Sequence, residues 1–213
     1  MITALVGAHG TGKTTVFNVL KERHPEWAYF TEGVRHQVPA LGYASPYRIV
    51  DEVGVGAFEL MNISTWSVID PALNTLLDPE RIIVTDRSAV DNYAYFSTLR
   101  RQIDDPALQK MNLRVEILVR KMARHYASLV DQFIYFPVGI FPVQGDLMRP
   151  ADEQYQRQVD KDLRGAFLDL GVPESRIHRL QSISIDDRVE EVLRVISSSP
   201  SPPPHSLPVL QNQ

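Results

Sequence analysis

Residues 7–14 read Gly7-Ala8-His9-Gly10-Thr11-Gly12-Lys13-Thr14 and match the pattern G-x-x-x-x-G-K-[ST] at every fixed position. In such a loop, glycines let successive backbone N–H groups turn toward phosphate oxygens, a lysine reaches the β and γ phosphates, and a threonine hydroxyl ligates magnesium. The stretch therefore predicts a bound nucleoside triphosphate with Mg²⁺. The expected nucleotide contacts are Gly7, His9, Gly10, Thr11, Gly12, Lys13, Thr14 and the following Thr15.

The flanks of this loop predict a strand before it and a helix after it. Residues 2–6 are an apolar run suited to a buried parallel strand, and residues 15–23 carry apolar side chains at helical spacing. Further strands are expected at 27–30, 81–86, 131–136 and 176–180. Helices are expected at 88–99, 113–129, 151–170 and 186–196, and from Pro46 through a stretch that Gly54 and Gly56 weaken.

Strands and helices alternate along the chain, which favours a parallel sheet covered on both faces. We therefore expect a three-layer α/β fold of the P-loop NTPase type, with a mostly parallel five-stranded sheet flanked by helices. The Pro- and Gly-rich stretch 137–150 opens a candidate lid region at 137–157. The domain is expected to span 1–196, followed by a flexible Pro/Ser-rich tail at 197–213.

Composition restricts the partners and the compartment. The 213 residues carry a net charge of −4, so the whole chain does not attract nucleic acid, and a DNA contact would need a local basic patch. There is no cysteine, and no apolar run approaches a membrane span. We expect a cytoplasmic protein that acts on a small molecule and does not enter a membrane.

Asp86 ends the predicted strand 81–86, where a carboxylate can face the phosphates and join Thr14 at the magnesium ion. The alternative is that Asp86 caps the helix that begins near Ser88.

Asp86-Arg87-Ser88, followed by Asp91 and Ala94-Tyr95, resembles the D-R-[YS] signature of thymidylate kinases and the E-R-S signature of deoxynucleoside kinases. The wider layout, with Glu32 and Arg35 after the second strand and Arg149 in the late loop, is similar to a group of P-loop kinases that includes nicotinamide riboside kinases. This resemblance implies phosphoryl transfer from ATP to a nucleoside or nucleotide, with Mg²⁺ and an arginine-bearing lid.

The roles that follow divide into two overlapping sets. A carboxylate beside an acceptor hydroxyl can take its proton, and arginines stabilise the charge that develops on the transferred group. The catalytic set is Lys13, Glu32, Asp86, Arg87 and Arg149, and the acceptor set is Glu32, Arg35, Arg87, Asp91 and Tyr95. Arg157 is a second lid candidate, and a solvated loop position is the alternative for Glu32.

His9 departs from thymidylate kinases, which usually place an acidic residue at this loop position. The histidine either touches acceptor or phosphate or simply covers the loop. Trp66, Tyr93, Tyr95 and Phe96 could stack a base or belong to the core.

Two other functions stay open. The resembled kinase group includes DNA-modifying relatives, which implies as an alternative a kinase that phosphorylates a hydroxymethylated pyrimidine within DNA. Between residues 100 and 125, seven basic residues against three acidic ones give a local charge of +4, which is either a solvated helix face or a guide for a polyanion such as DNA. A nucleotide-driven switch is the third hypothesis, but the sequence contains no guanine-reading N-K-x-D. A homodimer is possible, and the motif does not distinguish ATP from GTP.

Overall fold

The central strand, β1 (Ile2–Val6), is buried along its whole length, as its uninterrupted apolar sequence requires. The structure is a computed structural model, and it describes residues 1–31, 38–44, 46–69, 81–142 and 152–198. The other strands are β2 (Ala28–Thr31), β3 (Ile83–Asp86), β4 (Gln132–Tyr135) and β5 (Ile177–Arg179). Their order in the sheet is β2-β3-β1-β4-β5 and every pairing is parallel. The predicted five-stranded parallel sheet is confirmed.

Helices cover both faces of this sheet. The α-helices within the described residues include α1 (Lys13–Arg23), α2 (Pro46–Ser64), α3 (Ala89–Arg100), α4 (Pro106–Leu129), α5 (Glu153–Leu170) and α6 (Ile185–Ser198). Short 3-10 helices lie at Thr65–Ile69 and Glu174–Arg176. Side chains of α2 to α5 pack on one face in one core, and those of α1 and α6 pack on the other face in a second core. The predicted three-layer arrangement is therefore confirmed.

The register of the sheet brings the ends of three strands together. Asp86 is the last residue of β3, and it pairs with Leu5 of β1 on one side and with Thr31 of β2 on the other. Ligands of open parallel sheets bind beyond the carboxyl ends of the strands. The loop that follows β1 and the carboxylate that ends β3 thus meet at the binding edge.

Helix α4 begins at Pro106, so the prediction that this helix starts at residue 113 is wrong. Asp105 caps it, with Oδ1 accepting from the N–H groups of Ala107 at 2.7 Å and Leu108 at 3.2 Å. The first two turns are largely exposed and carry no continuous apolar stripe, which is why periodicity did not reveal them. The Asp-Pro pair was the signal that marked the true start.

Two smaller predictions concern helix interiors and ends. Gly54 interrupts α2 with φ 81° and ψ 154°, as its weak helix propensity predicts. Helix α6 ends at Ser198, two residues beyond its expected end, and the tail from residue 199 onward lies outside the described residues. None of the described helices combines the length and apolarity needed to cross a membrane.

Candidate active site

The loop of residues 7–14 is shaped by its glycines. Gly7 has φ 152°, and a Cβ there would lie 2.6 Å from the carbonyl oxygen of Phe136. Gly12 has φ 87° and directly precedes Lys13, the first residue of α1. The loop therefore delivers its backbone N–H groups to the N-terminus of a helix, where they favour bound phosphate.

Lys13 lies inside this loop, with its side chain almost entirely buried. Its Nζ donates hydrogen bonds to the carbonyl oxygens of Gly7 at 2.6 Å and Ala8 at 2.7 Å. A longer bond of 3.3 Å reaches Thr11 Oγ1. Phosphate oxygens are stronger partners for an ammonium than neutral carbonyls are. We therefore expect the Lys13 ammonium to exchange these carbonyls for phosphate oxygens when a nucleotide binds.

Thr14 and Asp86 meet across the sheet edge. The Thr14 hydroxyl donates to Asp86 Oδ2 at 2.7 Å. The other carboxylate oxygen, Oδ1, is buried and has no hydrogen-bond partner among the described residues. A hydroxyl beside a carboxylate with an unsatisfied oxygen is a donor set that suits Mg²⁺, a hard cation that prefers oxygen ligands. The two residues fit the ion that the loop motif implies.

The predicted alternative role of Asp86 as a helix cap is not what the structure has. Ser88 is the N-cap of α3, because its Oγ accepts from the N–H of Val90 at 3.1 Å. Asp91 completes a capping box by accepting from the backbone N–H of Ser88 at 2.8 Å. Asp86 is thus left to face Thr14.

Asp91 has a second contact that ties α3 to the loop. Its Oδ1 accepts a hydrogen bond of 3.1 Å from the backbone N–H of Gly7, and the side chain is 1% exposed. The carboxylate that was expected to contact the acceptor is therefore directed at Gly7 and Ser88.

Arg87 combines a strained backbone with a buried cation. Among the described residues it is the one non-glycine residue with a positive φ, 85°. Its backbone N–H donates to the carbonyl of Leu5 at 2.9 Å and its carbonyl accepts from Thr85 Oγ1 at 2.8 Å. The guanidinium lies 5.0 Å from the centroid of the Tyr95 ring. Strain of this kind persists where the surrounding structure fixes it, and such positions cluster at functional sites.

His9 is buried between α3 and α5. Its backbone N–H donates to the Tyr95 hydroxyl at 3.2 Å, and its carbonyl accepts from Gln156 Nε2 at 2.6 Å. The Tyr95 hydroxyl lies 3.4 Å from His9 Nδ1, and the Tyr155 ring lies 5.7 Å away between centroids. At 2% exposure the histidine joins the loop to both helices.

The remaining aromatic and basic candidates are mostly structural. Trp66, Tyr93 and Phe96 are core residues, whereas Tyr95 alone of the four reaches both His9 and Arg87. Within the basic segment, four of the seven basic side chains bind acidic partners or carbonyls: Arg100 pairs with Glu116, Arg101 with Asp162, and Arg120 and Arg124 donate to the Asp169 carbonyl. Asp162 lies outside the segment and offsets one of its positive charges, and the other contacts engage side chains that would otherwise be available to a polyanion.

Glu32, Arg35 and Arg149 lie outside the described residues. Thr31, which precedes Glu32 in the sequence, ends β2 directly beside Asp86. Arg157, the second lid candidate, is exposed on α5 and pairs with Glu153 at 3.3 Å. Thr15 is exposed in the first turn of α1, next to Thr14.

Sequence reasoning missed Gln156, Tyr155 and Arg188, which approach the loop from α5 and α6. Arg188 has one available signal, because it lies on the same side of its helix as Val189, Val192 and Ile196, which are core residues. A charged residue within such an apolar stripe indicates a buried polar contact. Its Nη1 donates to the carbonyl of Thr11 at 2.6 Å.

The strand order and the loop between β1 and α1 define the P-loop NTPase fold. Within that class the chain belongs to the AAA domain family, whose sequence model matches residues 3–188. A search of curated proteins finds no match.

Three solved structures illustrate the fold. The thymidylate kinase of Candida albicans has a TM-score of 0.60 at 15% identity, over 92% of this chain and 91% of that one. The deoxyadenosine kinase of M. mycoides with bound dATP has a TM-score of 0.63 at 14% identity, over 93% of this chain and 100% of that one. The NadR protein in complex with NAD and AMP-PNP has a TM-score of 0.58 at 15% identity, over 93% of this chain and 50% of that one.

Proposed function

We propose that this chain is an ATP-dependent phosphotransferase, a kinase whose acceptor is a nucleoside, a nucleotide or a related hydroxylated small molecule. The observation that carries the proposal is the 2.7 Å contact between Thr14 and Asp86, which joins the phosphate-binding loop to the end of β3. Arg87 is the next residue after that carboxylate, with a cation and a strained backbone. The structural likeness to thymidylate and deoxyadenosine kinases supports the same assignment.

In this proposal, the loop and Lys13 bind the triphosphate, and the acceptor oxygen attacks the γ-phosphorus in line with the bridging oxygen. The bond between the γ-phosphorus and the β,γ-bridging oxygen breaks, and ADP leaves. Thr14 and Asp86 would hold Mg²⁺, and the ion would neutralise charge on the phosphate oxygens. Arg87 counters the charge that develops on the transferred group. Asp91 and His9 keep the loop fixed to α3 and α5 through the contacts described above.

The acceptor side of the proposal rests on Thr31, Tyr95 and residues beyond the described ranges. Thr31 adjoins Asp86, so the chain that continues into Glu32 leaves the sheet beside the proposed metal ligand. We assign Glu32 as the base for a hydroxyl acceptor, with Arg35 and Tyr95 as acceptor contacts and Arg149 as the lid arginine. If the acceptor group is a phosphate, no strong base is needed and Glu32 contacts the acceptor in another way.

The experiment offers γ-labelled ATP, and GTP in parallel, to three acceptor pools. These are mixed nucleosides and deoxynucleosides, the corresponding monophosphates, and duplex DNA that contains hydroxymethyluracil. We expect label in one of the two small-molecule pools. Label only in the DNA would overturn the small-molecule acceptor, and acceptor-independent hydrolysis without transfer would favour a nucleotide-driven switch.

Two variants test the assigned residues. Asp86→Asn should lower kcat by about 100-fold or more, because it weakens an oxygen ligand where transition-state charge is stabilised. Asp104→Asn, at an exposed position in the turn before α4, is the matched control and should leave kcat unchanged. Glu32→Gln should abolish transfer to a hydroxyl acceptor while sparing ATP binding, and unchanged turnover would remove Glu32 from the mechanism.

A further inference from the structure

Arg188 lies on α6 with its side chain fully buried beneath the phosphate-binding loop. Its Nη1 donates to the carbonyl of Thr11 at 2.6 Å, and its Nε donates to the carbonyl of Ser182 at 2.9 Å. The guanidinium is 5.6 Å from the ring centroid of Phe136 and 4.9 Å from that of Phe141. Two backbone contacts and two aromatic rings therefore hold this cation in one position.

Arg188 forms no direct ion pair in the described part of the chain. No described carboxylate oxygen lies within 4.0 Å of its guanidinium nitrogens, and Nη2 is buried without a hydrogen-bond partner there. Burial lowers the pKa of Arg188, and the charge of Glu191 opposes that effect. A guanidinium nevertheless remains protonated at neutral pH. The free protein thus keeps a buried cation that lacks full compensation, which is unfavourable.

Glu191 does not supply the missing partner, because its carboxylate binds other groups. It accepts from the backbone N–H groups of Gln181 and Ser182 and contacts His178 Nε2 at 2.8 Å. Glu191 and Arg188 therefore both fix the segment between β5 and α6. Glu191 binds the N–H groups of Gln181 and Ser182, and Arg188 binds the Ser182 carbonyl. Of the two side chains, Arg188 is the one that also contacts the phosphate-binding loop, through the Thr11 carbonyl.

The guanidinium lies directly against the residue that precedes Lys13. A Cβ added to Gly12 would come within 3.3 Å of Arg188 Nη1. In the proposed nucleotide complex the loop N–H groups at this point would face the phosphates, while Arg188 binds the Thr11 carbonyl. Because the Arg188 side chain is fully buried, its charge acts on a polyphosphate more strongly than a charge in solvent would.

We propose that Arg188 is a positioning residue for the donor nucleotide: it fixes the Thr11–Gly12 turn, and the negative charge of the bound phosphate chain compensates its buried cation. This inference rests on the proposed function, since it assumes that a nucleoside triphosphate occupies the loop. The buried cation of Arg188 then makes the free protein less stable than it could be, and it makes nucleotide binding tighter. A residue that served packing alone would stabilise both states.

The test compares wild type with Arg188→Met, which replaces the cation by an apolar chain that can lie between the two rings. Calorimetry measures binding of Mg-ATP, of inorganic tripolyphosphate and of adenosine, and thermal unfolding gives the Tm without ligand. We expect ATP and tripolyphosphate to bind at least about tenfold more weakly and adenosine to bind unchanged. The ligand-free Tm should stay the same or rise. In the transfer assay, KM for ATP should rise while kcat and the acceptor KM stay unchanged.

Arg194→Met, at an exposed position of the same helix, is the matched control and should change none of these values. Equal ATP affinity for wild type and Arg188→Met would overturn the proposal, and so would an equal loss for ATP and adenosine, which would assign Arg188 to the base. If Arg188→Met does not fold, Arg188→Lys and Arg188→Gln decide: the proposal requires tighter ATP binding by the Lys variant, and equal affinities would overturn it. Wild type that binds no nucleotide would overturn this inference and the kinase together, whereas binding without transfer would overturn the kinase alone.

Discussion

Asp91 Oδ1 accepts a hydrogen bond of 3.1 Å from the backbone N–H of Gly7, and so fixes the first residue of the phosphate-binding loop to the first turn of α3. The same carboxylate caps that helix through Ser88, two residues after Asp86. One buried side chain therefore sets the position of the loop relative to the segment that carries the proposed metal ligand and Arg87.

Asp91→Asn should weaken both the fold and nucleotide binding. The amide keeps one acceptor oxygen, whereas Asp91 accepts from Gly7 N–H, Ser88 N–H and Ser88 Oγ. Leaving buried donors unsatisfied costs about 1–3 kcal/mol, or roughly 2–12 °C in Tm for a chain of this size. KM for ATP should rise as well. Asp105→Asn is the control, because asparagine caps the exposed start of α4 as well as aspartate does, and an equal loss of stability in both variants would contradict the role given to Asp91.

Gly12→Ala should lower affinity for ATP by at least about tenfold, because a left-handed φ of 87° costs an alanine about 1–2 kcal/mol and the loop must shift to relieve it. The added Cβ would also lie 3.1 Å from Phe141 Cε2. Titration with Mg-ATP measures the effect. Gly165→Ala is the control: that helical glycine has open space around it, and alanine there should stabilise α5 by up to about 1 kcal/mol. Unaltered ATP affinity in Gly12→Ala would show that the loop tolerates a side chain at this turn.

The loop, the parallel sheet and the position of Asp86 follow from local patterns in the sequence. A fixed glycine spacing defines the loop, and an apolar run that ends in aspartate places a carboxylate at the sheet edge, where the register with Leu5 confirms it. Helix α4 shows the limit of periodicity, because its exposed first turns begin at a cap and not at an apolar stripe.

The supports of the loop are not predictable in this way, because they come from distant parts of the chain. Gln156 reaches the His9 carbonyl across 147 residues, and Arg188 reaches the Thr11 carbonyl across 177. Asp91 was expected at the acceptor because it follows Arg87 in a family-like motif. Its direction is set by the capping box of α3, which the residue types alone do not distinguish from an open site.

Arg87→Lys should separate catalysis from binding. Lysine keeps the positive charge but loses the planar guanidinium that can bind two phosphate oxygens at once and stack on Tyr95. We expect kcat for transfer to fall about 100-fold, with little change in ATP affinity. Arg101→Lys, in an exposed ion pair with Asp162, is the control and should keep full activity. A loss of ATP affinity as large as the loss of kcat would assign Arg87 to the binding of the donor.

Glu191 should make stability depend on pH in the acidic range. Burial raises its pKa, but hydrogen bonds from Ser182, His178 and Gln181 outweigh that effect and lower the pKa from 4.5 to about 2. Because the folded protein binds this proton less readily than the unfolded chain does, the carboxylate stabilises the fold above pH 4.5 and loses this contribution as pH falls toward 2. Tm curves of wild type and Glu191→Gln should therefore differ most above pH 5 and converge below 4.5. Glu190→Gln is the control, because the partner of Glu190, Arg23, is exposed, and its Tm curve should run parallel to that of wild type. A Tm difference between wild type and Glu191→Gln that stayed constant from pH 7 to pH 2 would show that the Glu191 carboxylate is not the source of the stabilisation.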